Sequence, residues 1–189
     1  MTIASSPANL PQSAVSPRNH AKRWPVWAVL VVFGIAWLTF VAAPAQAQSP
    51  SQGVAAFNRQ DYVQAARIFT PLAERGAPSA QAYLGFMYET GRGVPQNYTD
   101  AAMWYRRAAE QGDSLAQYSL GLLYDRGQGV PIDIVEASKW LNLATAGAPR
   151  GAREARVRMR DAVTSKMTRG EIAEARLRAL QWAPKRELP

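Results

Sequence analysis

The feature that most constrains this chain is a segment that occurs twice at a fixed spacing. Residues 88–112 read YETGRGVPQNYTDAAMWYRRAAEQG, and residues 124–147, beginning 36 positions later, read YDRGQGVPIDIVEASKWLNLATAG. A catalytic motif normally occurs once, whereas a period of about 20–50 residues indicates stacked units that bury their apolar faces against one another. The repeat therefore predicts an architecture before it predicts any chemistry.

The two copies share glycines and apolar residues at equivalent positions. These positions are Leu84 and Leu120, Gly85 and Gly121, Tyr88 and Tyr124, Gly91 and Gly127, Gly93 and Gly129, and Trp104 and Trp140. Leucine and tyrosine recur at the four-residue spacing of a helix face, and the Gly-x-Gly-Val-Pro sequence stops that helix. Asn97 and Asp133 are suited to cap a second helix, whose buried stripe contains the tryptophans. Each copy therefore predicts a helix, a loop and a second helix.

The pattern resembles the Sel1-like repeat, a relative of the tetratricopeptide repeat. The resemblance rests on A-x-x-x-L-G-x-x-Y-x-x-G-x-G-V-P, the Asn or Asp cap, the tryptophan and the closing glycine, and it extends over residues 54–150. It implies an all-α solenoid of antiparallel helix pairs that binds another protein as an adaptor, scaffold or regulator in the cell envelope. Some exported members of the family hold each pair with a disulfide, which this chain cannot do because it has no cysteine.

We predict three segments along the chain. They are residues 1–47, a signal peptide or membrane anchor; residues 48–150, the repeats, with a partial copy at 54–76 and full copies at 79–112 and 115–147; and residues 151–189, basic capping helices. Thr168 and Glu171 form a capping-box sequence that opens the last helix. Its apolar residues, expected to cover the end of the stack, are Ile172, Ala175, Leu177 or Ala179, and Trp182. Pro184 should end this helix, and we expect residues 185–189 to be frayed.

The amino-terminal segment predicts export. An uncharged apolar stretch from Trp24 to Ala43 follows three basic residues, and Ala45 and Ala47 are the small residues that a signal peptidase requires. A stretch of about twenty apolar residues can also span a bilayer. Two outcomes therefore remain open. Either a periplasmic chain begins at Gln48, or an uncleaved anchor in the inner membrane holds the repeats outside the cytoplasm.

Composition excludes most catalytic arrangements. The chain has no cysteine, and its one histidine, His20, precedes the predicted cleavage site. The exported part therefore lacks Ser-His and Cys-His nucleophiles and His/Cys zinc sites. We predict no catalytic residue, metal, cofactor or small-molecule substrate. An envelope hydrolase remains an alternative, with two carboxylate pairs as its best candidates: Glu89 with Asp125, and Glu171 with Glu174. The Gly-x-Gly sequences are not phosphate loops, because they occur twice, follow a helix and lack Lys-Ser/Thr.

The predicted partner is another protein, and charge indicates a second mode of contact. Residues 48–149 carry 8 basic and 9 acidic residues, whereas residues 150–189 carry 11 basic and 5 acidic residues. The basic end suits an acidic partner or an anionic membrane surface, while nucleic acid is not expected for an exported chain. Candidate binding residues on the first helix of each unit, which should line the concave side, are Tyr83, Phe86, Tyr118 and Leu122, with Gln81, Gln117 and Ser119 also off the core stripe. Candidate binding residues on the basic helix are Arg153, Arg156 and Arg160.

Overall fold

The computed structural model describes residues 49–185 and 187, and every regular element in this part of the chain is an α-helix. The helices are α1 (Pro50–Asn58), α2 (Tyr62–Glu74), α3 (Pro78–Thr90), α4 (Tyr98–Glu110), α5 (Ser114–Arg126), α6 (Ile134–Ala146), α7 (Arg150–Thr164) and α8 (Arg169–Gln181). None of these helices combines the length and apolar character needed to cross a bilayer. The predicted signal peptide or anchor, with Ala45 and Ala47, lies outside the described residues.

The helices stack in chain order. Partners pack as α1 with α2, α3 with α4, and α5 with α6, and each pair packs on the next through α2 with α3 and α4 with α5. Both α7 and α8 pack on α6. The predicted all-α solenoid of helix pairs is therefore confirmed, and the predicted partial copy corresponds to the pair formed by α1 and α2.

Local sequence sets where the helices begin and end. The Asn97 side chain accepts hydrogen bonds from the backbone N–H groups of Thr99 and Asp100, and Asp133 caps α6 in the same way. Helices α3 and α5 end at Gly91 and Gly127, whose φ angles are 70° and 67°. A residue in the left-handed conformation can satisfy the last carbonyls of a helix, and glycine adopts this conformation without the steric cost of a Cβ atom. The second helices thus start, and the first helices end, where the sequence predicts.

Two further glycines allow the helices of a pair to approach closely. A Cβ atom on Gly85 would lie 2.7 Å from Cδ1 of Tyr105, and one on Gly121 would lie 2.9 Å from Cγ of Leu141. Both glycines are buried, as are Tyr105 and Leu141. The absence of a side chain on the first helix therefore makes room for a large side chain on the second.

The loop of each repeat contacts the backbone of the repeat before it. Gly93 and Gly129 have φ angles of 75° and 70°. A Cβ atom on Gly93 would overlap the carbonyl oxygen of Tyr62 at the start of α2, and one on Gly129 would overlap that of Tyr98 at the start of α4. These glycines, predicted only as helix stops, also set the distance between successive pairs.

Helix α8 covers the last pair as predicted. Thr168 and Glu171 form the capping box, and Ala175 is fully buried. Trp182 meets Trp140 edge to face, with ring centroids 6.4 Å apart. Leu177 and Ala179 were the two alternatives for the remaining contact. Leu177 is 53% exposed, whereas Ala179 is half-buried, so Ala179 makes the contact.

Candidate functional site

Tyr83 and Phe86 lie in one aromatic cluster at the amino-terminal end of the stack. The Tyr83 ring stacks on Phe69 with centroids 4.8 Å apart, and Phe57 meets both Tyr83 and Phe86 edge to face at 5.2 and 5.7 Å. Arg92 lies 5.6 Å above the Phe86 ring. Tyr83, Phe86 and Phe57 are each half-buried, so they combine core packing with an accessible edge. We call these five residues the aromatic cluster.

The structure places Tyr118 and Leu122 apart from the aromatic cluster. Both are half-buried and pack against the last core cluster, which contains Leu141 and Val163. The four predicted residues on first helices therefore do not form one surface.

Arg156 departs from the prediction of an exposed basic patch. It is only 7% exposed, its Nη1 donates to the carbonyl oxygen of Ala144 at 2.9 Å, and its guanidinium lies 5.6 Å above the Tyr118 ring. Burial lowers the pKa of this guanidinium. Arg156 caps the carboxyl end of α6 with its cation, a favourable position for positive charge near a helix C-terminus.

The two other predicted arginines remain accessible. Arg153 is exposed and reaches the carbonyl oxygen of Ala146 at 3.5 Å. Arg160 is half-buried and donates twice to Oδ1 of its neighbour Asp161, at 2.9 and 2.7 Å. The three arginines therefore serve different contacts and do not form a single uncompensated patch.

Gln81 and Gln117 are buried, contrary to the expectation that they lie off the core stripe. Gln81 is 0% exposed and donates from Nε2 to the carbonyl oxygen of Ala73; Gln117 is 3% exposed and donates to Ala109. Each glutamine thus satisfies the carboxyl end of the preceding helix. Ser119 is buried as well. The identical residue at both copies was the signal available in the sequence, because a free surface position need not repeat.

The described residues after α8 lie against the repeats, whereas we expected a frayed end over residues 185–189; residues 186, 188 and 189 of that prediction lie outside the described part of the chain. We call residues 182–185 and 187 the tail. The backbone N–H of Lys185 donates to the carbonyl oxygen of Glu110 at 2.7 Å. A Cβ atom on Gly112 would lie within 3.8 Å of both Trp182 and Pro184, and one on Gly76 would lie 3.1 Å from Cβ of Glu187. The tail therefore crosses the closing glycines of two successive units.

Glu187 ends this contact in a polar site that the sequence did not predict. Its Oε1 accepts from Nε of Arg107 at 2.9 Å, and its Oε2 accepts from Nη2 of Arg107 at 2.7 Å and from Nε2 of Gln81 at 2.8 Å. The hydrogen bonds from Arg107 are the main cause of a lowered pKa of Glu187, and the carboxylate in turn raises the pKa of Arg107. Gln111 donates from Nε2 to the amide oxygen of Gln81, and we call Gln81, Arg107 and Gln111 the carboxylate site.

The candidate catalytic carboxylates are each engaged in a structural contact. Glu89 accepts a hydrogen bond from the Tyr105 hydroxyl at 2.7 Å, and Asp125 accepts one from Lys166 at 2.8 Å. Glu171 completes the capping box, which lowers its pKa, and Glu174 pairs with Arg178. Within residues 49–185 and 187, no group of histidine, cysteine, aspartate or glutamate side chains is arranged to hold a metal ion.

Comparison with known proteins identifies the repeats. The family model described as Sel1 repeat matches residues 78–113 and 114–148. A solved structure of a protective antigen from uropathogenic Escherichia coli, described as displaying an SLR fold, is 31% identical, with a TM-score of 0.66 over 78% of this chain. A Sel1 repeat protein from Oxalobacter formigenes is 28% identical, with a TM-score of 0.55 over 71% of this chain.

This chain is shorter than both of these proteins. It spans 32% of the Escherichia coli protein and 54% of the Oxalobacter protein. The curated proteins contain no match to it. Sel1 repeats generally mediate contacts between proteins, and their solenoid is typically a non-catalytic interaction module. From the two matched repeats and the shared fold, we conclude that residues 78–148 belong to the Sel1-like repeat family.

Proposed function

We propose that this protein is an exported interaction module that binds a partner protein in the cell envelope and catalyses no reaction of its own. The observation that carries the proposal is the pair of matched Sel1 repeats in a stack of helix pairs, because repeats of this family generally mediate protein contacts. An adaptor, scaffold or signalling role in the periplasm is consistent with this architecture. Solenoids bind through side chains that the repeat leaves free.

The aromatic cluster is the surface that we propose for this contact. Interfaces are enriched in tyrosine, tryptophan and arginine at the positions that contribute most to affinity. Here Phe57, Tyr83 and Phe86 present half-buried rings beside the exposed Arg92. Because neighbouring rings already fix these side chains, binding a partner would cost little further conformational entropy.

The sequence before residue 49 supports export. The apolar stretch from Trp24 to Ala43, followed by Ala45 and Ala47, fits a signal peptide. Its length also favours a second candidate, a scaffold tethered to the inner membrane by an uncleaved helix. In both cases the repeats lie outside the cytoplasm. The intact mass of the protein recovered from the envelope separates the candidates: a chain beginning at Gln48 supports the cleaved form, and a chain retaining Trp24 supports the anchor.

The test of partner binding is crosslinked capture from the native envelope, using the full sequence as bait and mass spectrometry as the readout. We expect one stoichiometric protein to be retained by the wild-type bait and lost with Phe86→Ser. Leu115→Ala is the matched control, because Leu115 is 47% exposed and lies outside the aromatic cluster.

Circular dichroism must show that the Phe86→Ser bait remains folded. If the variant unfolds, Phe86→Tyr, which adds a polar hydroxyl to the same ring, takes its place. Retention of no specific protein by the wild-type bait would contradict the proposal. So would turnover of a peptidoglycan, peptide or ester substrate by the purified protein.

A further inference from the structure

The carboxylate site is built to hold a negatively charged group. The Arg107 guanidinium offers a two-pronged fork to Glu187, with both bonds at or below 2.9 Å. Planar, charge-assisted pairs of this kind are stronger and more directional than neutral hydrogen bonds. The same guanidinium lies 4.8 Å above the Trp104 ring, which helps to fix its orientation.

The buried amide of Gln81 needs an acceptor at the same point. One hydrogen of its Nε2 goes to the carbonyl oxygen of Ala73, and the other points at Glu187. Gln111 donates to the amide oxygen of Gln81 at 2.8 Å. A flip of the Gln81 amide, which would exchange its oxygen and nitrogen, would therefore break that hydrogen bond. Because Gln81 is 0% exposed with the tail in place, its second amide hydrogen depends on Glu187 for an acceptor.

The repeat architecture does not require this site. Positions 107 and 111 correspond, 36 residues on, to Leu143 and Gly147. The second copy keeps the buried glutamine, Gln117, but has neither the arginine nor the second amide beside it. Arg107 and Gln111 are therefore additions to one repeat. Gln111 also donates from Nε2 to the carbonyl oxygen of Gly76 at 3.0 Å, whereas the fork of Arg107 is directed at a carboxylate.

The tail is partly exposed and makes few hydrogen bonds to the repeats. Among the described residues, its backbone makes a single hydrogen bond to the repeats, from Lys185 to Glu110. Pro184 and Lys185 are exposed, and the side chains of Arg107 and Glu187 are 33% and 29% exposed. Water can therefore reach the ion pair, and a competing segment can approach it without unfolding a helix.

We propose that the carboxylate site binds an acidic side chain from an extended segment of a partner protein, and that Glu187 occupies the site until the partner displaces it. The inference rests on the proposed function, since it names one contact of that interaction and its regulation. Glu187 shows which ligand fits: a carboxylate carried by an extended chain that also donates one backbone N–H to Glu110.

Tethering determines how strongly the tail competes. A short flexible linker gives an attached ligand an effective concentration on the order of millimolar. If the tail itself binds the site with an intrinsic dissociation constant of about 10 µM, a partner segment would bind the wild-type chain roughly a hundredfold more weakly than a chain whose tail is released. The tail would set a threshold that only an abundant or multivalent partner exceeds.

The test uses a fluorescein-labelled peptide of residues 182–189, WAPKRELP, and fluorescence anisotropy with protein produced from the full sequence. We expect Glu187→Ala to bind this peptide at least tenfold more tightly than the wild type. Adding Arg107→Leu, which copies Leu143, should reduce that affinity at least tenfold. Adding Arg106→Leu should change it less than twofold, because Arg106 donates to the Tyr124 hydroxyl and makes no hydrogen bond to residues 182–185 or 187.

Three outcomes would overturn the proposal: equal peptide affinity for the wild type and Glu187→Ala, affinity that does not depend on Arg107, or no binding to any variant. A peptide carrying Glu187→Gln should fail to bind, because the site recognises the negative charge of the carboxylate. Thermal melting of each variant guards against loss of fold, and Arg107→Lys, which keeps the charge but removes the fork, should give intermediate affinity.

Capture from the envelope separates failure of this inference from failure of the proposed function. If the wild-type bait retains a partner through Phe86 while the peptide does not bind, the interaction module stands and the carboxylate site does not take partner segments. If the peptide binds as expected while no bait retains a partner, the proposed function fails and the intramolecular contact stands. When both hold, Glu187→Ala should recover more of the partner than the wild-type bait.

Discussion

The two matched repeats share one framework and differ in what fills it. Both bury a glutamine against the end of the preceding helix, and both use a glycine to contact the backbone of the preceding pair. The side chain that packs against the helix glycine differs, however: Tyr105 packs against Gly85 in one repeat, and Leu141 packs against Gly121 in the other. The comparison teaches that backbone contacts define the fold, whereas side chains of different chemistry can occupy the same pocket.

The largest expected effect falls on a shared position. Gly93→Ala and Gly129→Ala should each lower the free energy of unfolding by about 2–4 kcal/mol, because alanine is strained at positive φ and its Cβ would overlap a carbonyl oxygen. Urea denaturation measures the change. Gly151→Ala is the control: it lies in α7 with open space around it, so it should gain up to about 1 kcal/mol. Costs that differ strongly between Gly93 and Gly129 would show that the repeats are not equivalent.

The second effect concerns the position where the repeats differ. Tyr105→Leu makes the first repeat resemble the second and should cost about 2 kcal/mol, since it loses ring volume and the hydroxyl bond to Glu89. Burial and the nearby Glu89 carboxylate both raise the pKa of Tyr105, so the hydroxyl stays protonated and donates across the physiological range. Tyr105→Phe isolates the hydrogen bond and should cost about 1–2 kcal/mol in the same urea experiment. If Tyr105→Phe leaves the free energy of unfolding unchanged, packing alone distinguishes the two repeats at this position.

A smaller effect depends on pH and belongs to the first repeat alone. The hydrogen bonds from Arg107 lower the pKa of Glu187, so docking of the tail is fully present above the ordinary glutamate pKa of about 4.3. It should be lost as pH falls through the lower pKa of the docked carboxyl. The heteronuclear NOE of the Lys185 amide should fall over this range. In Glu187→Gln it should already be low and independent of pH; a wild-type NOE that stays high in acid would contradict the assignment.

The smallest effect is expected at a tryptophan. The indole N–H of Trp140 is buried and has no acceptor among the described residues. Trp140→Phe removes this unsatisfied donor, which offsets the lost ring volume, so the net change should stay within about 1 kcal/mol. Trp104→Phe should cost more, because Trp104 also supports the guanidinium of Arg107. Thermal melting of the two variants compares the equivalent positions directly.

The sequence predicted the framework because its determinants are local and repeat. The 36-residue spacing identified the helix pairs, Asn97 and Asp133 identified the helix starts, and the Thr168 capping box identified the last helix. Caps, turns and apolar periodicity act within a few residues, so a single sequence is enough to read them.

The candidate site was harder to predict because its contacts are distant in sequence. Gln81 and Glu187 lie 106 residues apart, and no periodicity connects them. Arg156 looked like part of an exposed stripe, yet the carbonyl oxygen of Ala144 and the Tyr118 ring draw it inward. A long side chain can turn its charge toward a helix end or toward water, and helical spacing does not distinguish these cases.

The contact between each Gly-x-Gly loop and the preceding pair limits how a chain of this kind can change its length during evolution. Tyr62 and Tyr98 are separated by the same 36 residues as Gly93 and Gly129. Duplicating a whole unit would reproduce this contact, whereas an insertion of any other length between the two glycines and their tyrosines would misplace it. Descendants of this protein should therefore gain or lose material in complete modules, and shorter insertions should be confined to the termini.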